Sequence, residues 1–127
     1  MIDTDVLLDV ALDRRPHVED SAAVLRWAEA SGDAAVAWHS LTNCAYLLKG
    51  SGRSFLDKLL KVVRVAPAGD AVARRAMELP IRDLEDAFQV AAAIAWGAEL
   101  IVTRNLADFK NSPIRAVSPA TFLKKPA

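Results

Sequence analysis

At 127 residues, with 53% hydrophobic and 25% charged positions, the chain has the length and composition of one soluble α/β-sized domain, 1–127. Lys+Arg and Asp+Glu balance at 16 each, which excludes a global basic field for nucleic acid. A single cysteine, Cys44, excludes an intrachain disulfide and favours a reducing compartment. With no leader pattern and no run of about 18 apolar residues, the expectation is a cytoplasmic protein without a membrane span.

The chain opens on "MIDTDVLLD", with Asp3, Asp5 and Asp9 flanking a Val-Leu-Leu run. Only Met1-Ile2 precede Asp3, so any strand there is short, and a helix is expected from about Val6. Residues 18–31 carry Val18, Ala22, Leu25 and Ala28 at helical spacing and stop before Gly32, which predicts an amphipathic helix. Residues 34–38 are a short apolar run, read as a buried strand. Ser40 is placed to cap a helix running through Leu48, and a basic helix is expected over 54–60. Residues 62–65 read as strand and 70–79 as helix.

Leu84 to Trp96 is apolar almost all round, the pattern of a helix covered on most faces. Asp83 is its expected N-cap, with Asp86 at the third helical position, where free N–H groups and the helix dipole favour a carboxylate. Gly97 ends it, and 99–103 form a β-branched run of the kind found in buried parallel strands. Helix and strand alternate along the chain, which predicts α/β architecture with a mostly parallel sheet. Ligands gather at the carboxyl ends of such strands.

Acids occupy three such positions: Asp3-Thr4-Asp5, Asp83 to Asp86, and Asp108 in Thr103-Arg104-Asn105-Leu106-Ala107-Asp108. Singly, each is explained as a helix cap or turn residue. Together they form an all-oxygen donor set suited to hard divalent cations such as Mg²⁺ or Mn²⁺. The two histidines, His17 and His39, have no zinc-ligand spacing. Cys44 reads as core, as do Trp27, Trp38 and Trp96. No G-x-S-x-G elbow or Gly-rich phosphate loop is present. Arg53, Lys58, Lys61 and Arg64 form a small basic cluster that reads as a solvated face unless the acids lie beside it.

The stretch "LPIRDLEDAFQVAAAIAWGAELIVTRNLADFKNSPIRAVSPATFL", 79–123, resembles the C-terminal half of PIN-domain proteins. The shared marks are the Asp-x-x-Asp-Ala helix start, the Ile-Val-Thr-Arg-Asn strand end, the Asp-Phe and the Ser-Pro-x-x-Phe-Leu. "IDTDVLLD" and "SLTNCAYLLKG" are similar to that family's opening and third-helix segments. The resemblance implies a three-layer α/β/α sandwich around a central parallel sheet and a metal-dependent nuclease site. It also implies a VapC-like endoribonuclease toxin: an RNA substrate, a cognate antitoxin partner and a homodimer. Carried over by position, Asp3, Asp86 and Asp108 are the catalytic, metal-binding acids using Mg²⁺ or Mn²⁺, with Thr103 and Asn105 supporting the site. Asn43 stands where the family's glutamate is expected, so its amide oxygen is the supporting donor there. Two alternatives stay open: a degenerate PIN domain that binds RNA or a protein without cleavage, and a haloacid-dehalogenase-like phosphatase using Asp3-Thr4-Asp5-Val6.

Overall fold

In the computed structural model, which describes residues 1–124, Ile2 occupies the centre of the sheet. It makes parallel bridges to Val36 on one side and Val102 on the other. The Ile2 N–H donates to the Ala35 carbonyl at 2.9 Å, and the Val102 N–H donates to Met1 at 2.8 Å. Outward from Val36, β1 (Ala35–Val36) pairs in parallel with β2 (Arg64–Val65). Outward from Val102, β3 (Leu100–Val102) pairs in parallel with β4 (Arg115–Val117), with Ile101 opposite Ala116. The spatial order is therefore β2, β1, the Ile2 segment, β3, β4. The strands are shorter than the apolar runs suggest, because each chain turns into a helix or loop soon after crossing its neighbour. The final residues 125–127 of the expected 1–127 domain lie outside the described residues.

Seven helices carry the rest: α1 (Thr4–Ala11), α2 (Val18–Ser31), α3 (Trp38–Leu48), α4 (Gly52–Leu59), α5 (Asp70–Glu78), α6 (Leu84–Trp96) and α7 (Pro119–Leu123), among the described residues. Side chains alternate across the sheet with the pleat. Ile2, Val36, Val102 and Val117 enter one apolar cluster with residues of α1 to α4. Met1, Ala35 and Ile101 enter a second cluster with residues of α5 and α6. Each face of the sheet is thus buried, which is why its strands read as apolar runs rather than as alternating ones.

The long helices match the periodicity closely, and their stops are physical. Gly32 and Gly97 adopt left-handed conformations (φ 68° and 86°), which only glycine takes without strain. The starts differ more. Asp3, not a later residue, is the N-cap of α1, its side chain accepting from the Thr4 N–H, so the helix begins two residues before Val6. α3 begins at Trp38 rather than at Ser40, with Ala37 at the cap position. Ser40 is fully buried and its hydroxyl accepts from Thr4 Oγ1 at 2.8 Å, so a tertiary partner takes the group that a local rule assigned to capping. The basic helix starts earlier than 54, at Gly52.

The tryptophans are less buried than their apolar neighbourhoods imply. Trp38 is 57% exposed, because it opens α3 at the rim of the sheet, and Trp27 lies edge-on to Phe122 with ring centroids 4.8 Å apart. Cys44 is fully buried, as expected, and burial pushes its thiol up to about 11, so it is inert packing. Arg53, Lys58, Lys61 and Arg64 are all exposed along α4 and β2.

Candidate functional site

Two neighbouring strands of the sheet end in polar residues. The Ile2 segment leads into Asp3 and β3 leads into Thr103, and the Asp3 N–H donates to the Val102 carbonyl at 3.0 Å. That pairing sets the two side chains beside each other. The Thr103 hydroxyl donates to Asp3 Oδ2 at 2.8 Å, and the Thr4 N–H donates to Asp3 Oδ1 at 2.8 Å. Both carboxylate oxygens are therefore oriented. Asp3 is only 8% exposed, and burial, reinforced by the charge of Asp5, raises its carboxyl to about 6 against the two hydrogen bonds.

Asp5 follows on the first turn of α1. Its Oδ2 accepts the Arg104 N–H at 2.9 Å, while Thr103 Oγ1 stands 3.4 Å away. A hydroxyl has one proton, and the shorter contact to Asp3 takes it. Asp5 Oδ1 is buried and has no hydrogen-bond partner among the described residues. Burial raises the Asp5 carboxyl as well. A buried, unpartnered carboxylate oxygen is costly unless a cation, a proton or water completes it.

Asp86 comes from the start of α6. Asp83 is the N-cap, its Oδ1 accepting the Asp86 N–H at 3.0 Å. The Asp86 side chain is pushed up to about 7, first by burial and then by the charges of Asp83, Asp3, Asp108 and Glu85. Asp3, Asp86 and Asp108, far apart in sequence, are thus neighbours electrostatically. Asp108 is exposed on a 3₁₀ turn, Leu106–Phe109, whose Asp108 N–H donates to the Asn105 carbonyl at 3.1 Å. Asp83, Asp86 and Asp108 line one cleft of about 450 Å³ together with Arg82 and Lys110. A second cavity, of about 250 Å³, is lined by Trp27, Trp96 and Phe122 near the starts of β1 and β3, away from these acids.

The supporting residues are placed unequally. Thr103 is fully buried against Asp3, and its oxygen also accepts the Asn105 N–H at 3.0 Å. Asn105 thus contributes its backbone to that contact. The Asn43 Nδ2 donates to Glu85 Oε1 at 2.9 Å. Glu85 and Arg104 escaped the sequence reading. Glu85 lies beside Asp86 in the motif itself, whereas the partner of Arg104 sits 95 residues away. The Arg104 guanidinium grips Asp9 through Nε at 2.7 Å and Nη2 at 3.0 Å.

The donors suit a hard cation: they are all oxygens, Asp5 Oδ1 is unpartnered among the described residues, Asp5 raises the carboxyl of Asp3, and Asp3 and Asp108 raise that of Asp86. Among the described residues, no three Asp, Glu, His or Cys side chains converge closely enough to hold an ion on their own. The arrangement fits a hydrated ion of the Mg²⁺ kind, held by one or two carboxylates with water completing the shell. Asp86 and Asp108 line the cleft, and Asp3 stands at the carboxyl end of the Ile2 segment beside β3.

A sequence model of the family described as PIN domain matches residues 1–107. The crystal structure of VapBC2 from Rickettsia felis bound to a DNA fragment from their promoter contains a chain that superposes with a TM-score of 0.71. That match has 20% identity and covers 93% of this chain and 98% of the other, a likeness of fold. No curated protein matches in sequence.

Proposed function

The chain belongs to the PIN domain family, and from that premise we propose that it is a Mg²⁺- or Mn²⁺-dependent endoribonuclease, the VapC-like toxin of a toxin–antitoxin pair. The observation that carries this reading is that Asp3 and Asp108 both raise the carboxyl of Asp86 while none of the three stands in an ion pair among the described residues. Acids brought together from the start, the last third and the end of the chain, without neutralising partners, are what a cation site requires. The two apolar clusters, one on each side of the sheet, support the three-layer α/β/α arrangement.

Asp3, Asp86 and Asp108 are the acids that would hold the cation. When bound, the cation supplies Lewis-acid stabilisation of charge developing on phosphoryl oxygens and lowers the pKa of water. The chain's own residues do the positioning. Thr103 and the Thr4 N–H fix both oxygens of Asp3, and Asp83 fixes the first turn of α6 beneath Asp86. Arg82 and Lys110, in the same cleft as Asp86 and Asp108, offer cationic contacts to flanking phosphates.

The VapBC2 likeness supports an antitoxin partner, and a homodimer remains part of the proposal. No helix of the described residues is long and apolar enough to cross a membrane, and the lone cysteine suits the cytoplasm as its place of action.

The test is cleavage of labelled single-stranded RNA by purified protein in Mn²⁺ or Mg²⁺, with EDTA and Asp86→Asn as controls. Cleavage that needs the cation and is lost in Asp86→Asn is the expected result. RNA binding without cleavage would put the degenerate, non-cutting PIN domain ahead. Phosphate release from a small phosphomonoester, with RNA left intact, would favour the phosphatase.

A further inference from the structure

A further cavity, of about 260 Å³, opens at the carboxyl ends of the other two strands on this side of the sheet. β1 leads into Ala37, Trp38 and His39, β2 leads into Pro67 and Ala68, and all five line it. Residues of α5 and α6 close it, α6 through Phe88. In the strand order the cavity stands over β2 and β1, and the next two positions, the Ile2 segment and β3, lead into Asp3 and Thr103. Both therefore lie along the edge where a parallel sheet gathers its ligands. A buried hydrogen-bond chain fixes one against the other. Thr4, which follows Asp3, donates from its hydroxyl to Ser40 at 2.8 Å, and Ser40 donates to Gln89, which follows Phe88, at 3.4 Å.

The lining is made of rings and small residues. Trp38 is 57% exposed, although α3 buries Ser40 and Leu41 beside it. His39 and Phe88 are half-buried, with ring centroids 6.4 Å apart and planes tilted by 57°. No Asp, Glu, Lys or Arg lines the cavity, and burial, opposed by the charge of Glu85, lowers the His39 pKa and keeps its imidazole neutral at pH 7. The volume is below the roughly 300–1,000 Å³ of sites for drug-sized ligands, so it suits a single ring system. Trp, Phe and His are the side chains on which unstacked bases stack, and every base has a π-face. We propose that this cavity holds one unpaired base of the RNA substrate, stacked on Trp38 with His39 and Phe88 around it, while the strand's phosphates run past the acids. This rests on the nuclease reading and deepens it by naming the substrate class: single-stranded RNA or a loop, since a base inside a duplex cannot reach the cavity. A neutral imidazole also offers one donor and one acceptor to the edge of that base. The position beside the acids, rather than on a remote face, favours a base over a side chain of a partner protein.

The experiment measures binding of a fluorescein-labelled single-stranded RNA of about twelve nucleotides by anisotropy, in EDTA so that nothing is cut. The parent is compared with Trp38→Ala, Trp38→Phe and Tyr46→Ala, each first shown by thermal melting to be folded. Tyr46, 80% exposed on the same helix but outside the cavity, is the control. Trp38→Ala is expected to weaken binding by about tenfold, Trp38→Phe by less, and Tyr46→Ala not at all. A second series moves one abasic residue along the RNA. At one position the abasic RNA should bind the parent about tenfold more weakly than intact RNA does, yet bind Trp38→Ala no more weakly, because base and ring act as a pair. Intact RNA that binds Trp38→Ala as tightly as the parent, with cleavage in Mn²⁺ still dependent on Asp86, overturns the base site and leaves the nuclease reading standing. Equal losses in Trp38→Ala on intact RNA and on every abasic RNA overturn the stacking role. If RNA binding is unchanged and Trp38→Ala instead turns a dimer into a monomer in sedimentation, the occupant is a second copy of the chain and the proposal falls. A parent that neither binds nor cuts RNA sinks the base site and the nuclease reading together.

Discussion

Helix α1 carries two carboxylates one turn apart, Asp5 and Asp9, whose surroundings are opposite. Asp9 is fully buried, yet it is completed: two guanidinium hydrogen bonds from Arg104, one from the Ser21 hydroxyl at 2.9 Å, and Arg14 at 3.9 Å. Asp5 has one oxygen on the Arg104 backbone and the other on no partner among the described residues; Asp5 raises the carboxyl of Asp3, and Asp3 raises that of Asp86. Arg104 stands between the two groups, giving its side chain to one and its N–H to the other. Burial alone does not distinguish a structural acid from a functional one; the presence of a neutralising partner does. The Asp9 group ties α1 and α2 to the loop after β3. The Asp3 group is left with charge that the fold does not neutralise, and that surplus is what a cation would use.

The largest expected effect breaks the first half of this contrast. Arg104→Met leaves Asp9 buried with only Ser21 and the distant Arg14, and removing one partner of a buried pair typically costs about 3–5 kcal/mol. Urea denaturation should show a loss of that order. Replacing both partners, as Asp9→Leu with Arg104→Met, should recover much of it, because the desolvated charge is then gone. A loss under about 1 kcal/mol in the single variant would mean that the pair is a surface-type contact and the contrast is false.

The second effect concerns the unneutralised half. If the acids hold a cation, Mg²⁺ at a hundred times its Kd stabilises the fold by about 2.7 kcal/mol. Protons compete for the same oxygens, so the gain should be full near pH 8 and shrink toward pH 5. Asp86, raised to about 7, and Asp3, raised to about 6, are protonated there. Melting curves with and without Mg²⁺ at the two pH values measure this. A gain that is independent of pH would place the ion elsewhere.

How much of this the sequence discloses follows from the range of each interaction. The span of α6, its Asp83 cap and its Gly97 stop are local and periodic, and they are legible. So is the parallel pairing of the strands, since apolar runs separated by helices favour it, although their order around Ile2 is not. Ser40 was open to misreading because a serine before a helical run satisfies a capping rule, and only the fold brings Thr4 to it. Trp38 reads as core because its neighbours are apolar, although it sits at the rim. At the acids, residue types point to three acid-bearing stretches and the family resemblance picks Asp3, Asp86 and Asp108 among them, but neither discloses the direction of the Asn43 amide. Nor do they disclose the Asp9–Arg104 pair, whose partners are joined only across the sheet.

The smallest expected effect sharpens the contrast by its sign: in EDTA, Asp86→Asn should stabilise the protein where Arg104→Met destabilises it. Asp86 has a carboxyl raised from 3.8 to about 7 in the folded state. A raised carboxyl contributes stability that is fully present below its unfolded pKa and is lost as the pH rises through its folded one. Above pH 7 the ionised side chain is therefore a liability that asparagine removes. Taken at face value the shift is worth about 4 kcal/mol, but Asp86 is open to water on one side, and screening reduces this to roughly 1–2 kcal/mol. Against it, an acid in the first turn of a helix gains about 0.3–1 kcal/mol from the dipole, which the variant forfeits. The net is roughly 1 kcal/mol, or a few degrees in melting temperature for a chain of this size. Because the parent is itself protonated at low pH, the gap between variant and parent should be near zero at pH 4 and widen toward pH 8. A gap of the same size at every pH would trace the effect to packing instead, and a negative gap at pH 8 would mean that Asp86 is already neutralised like Asp9.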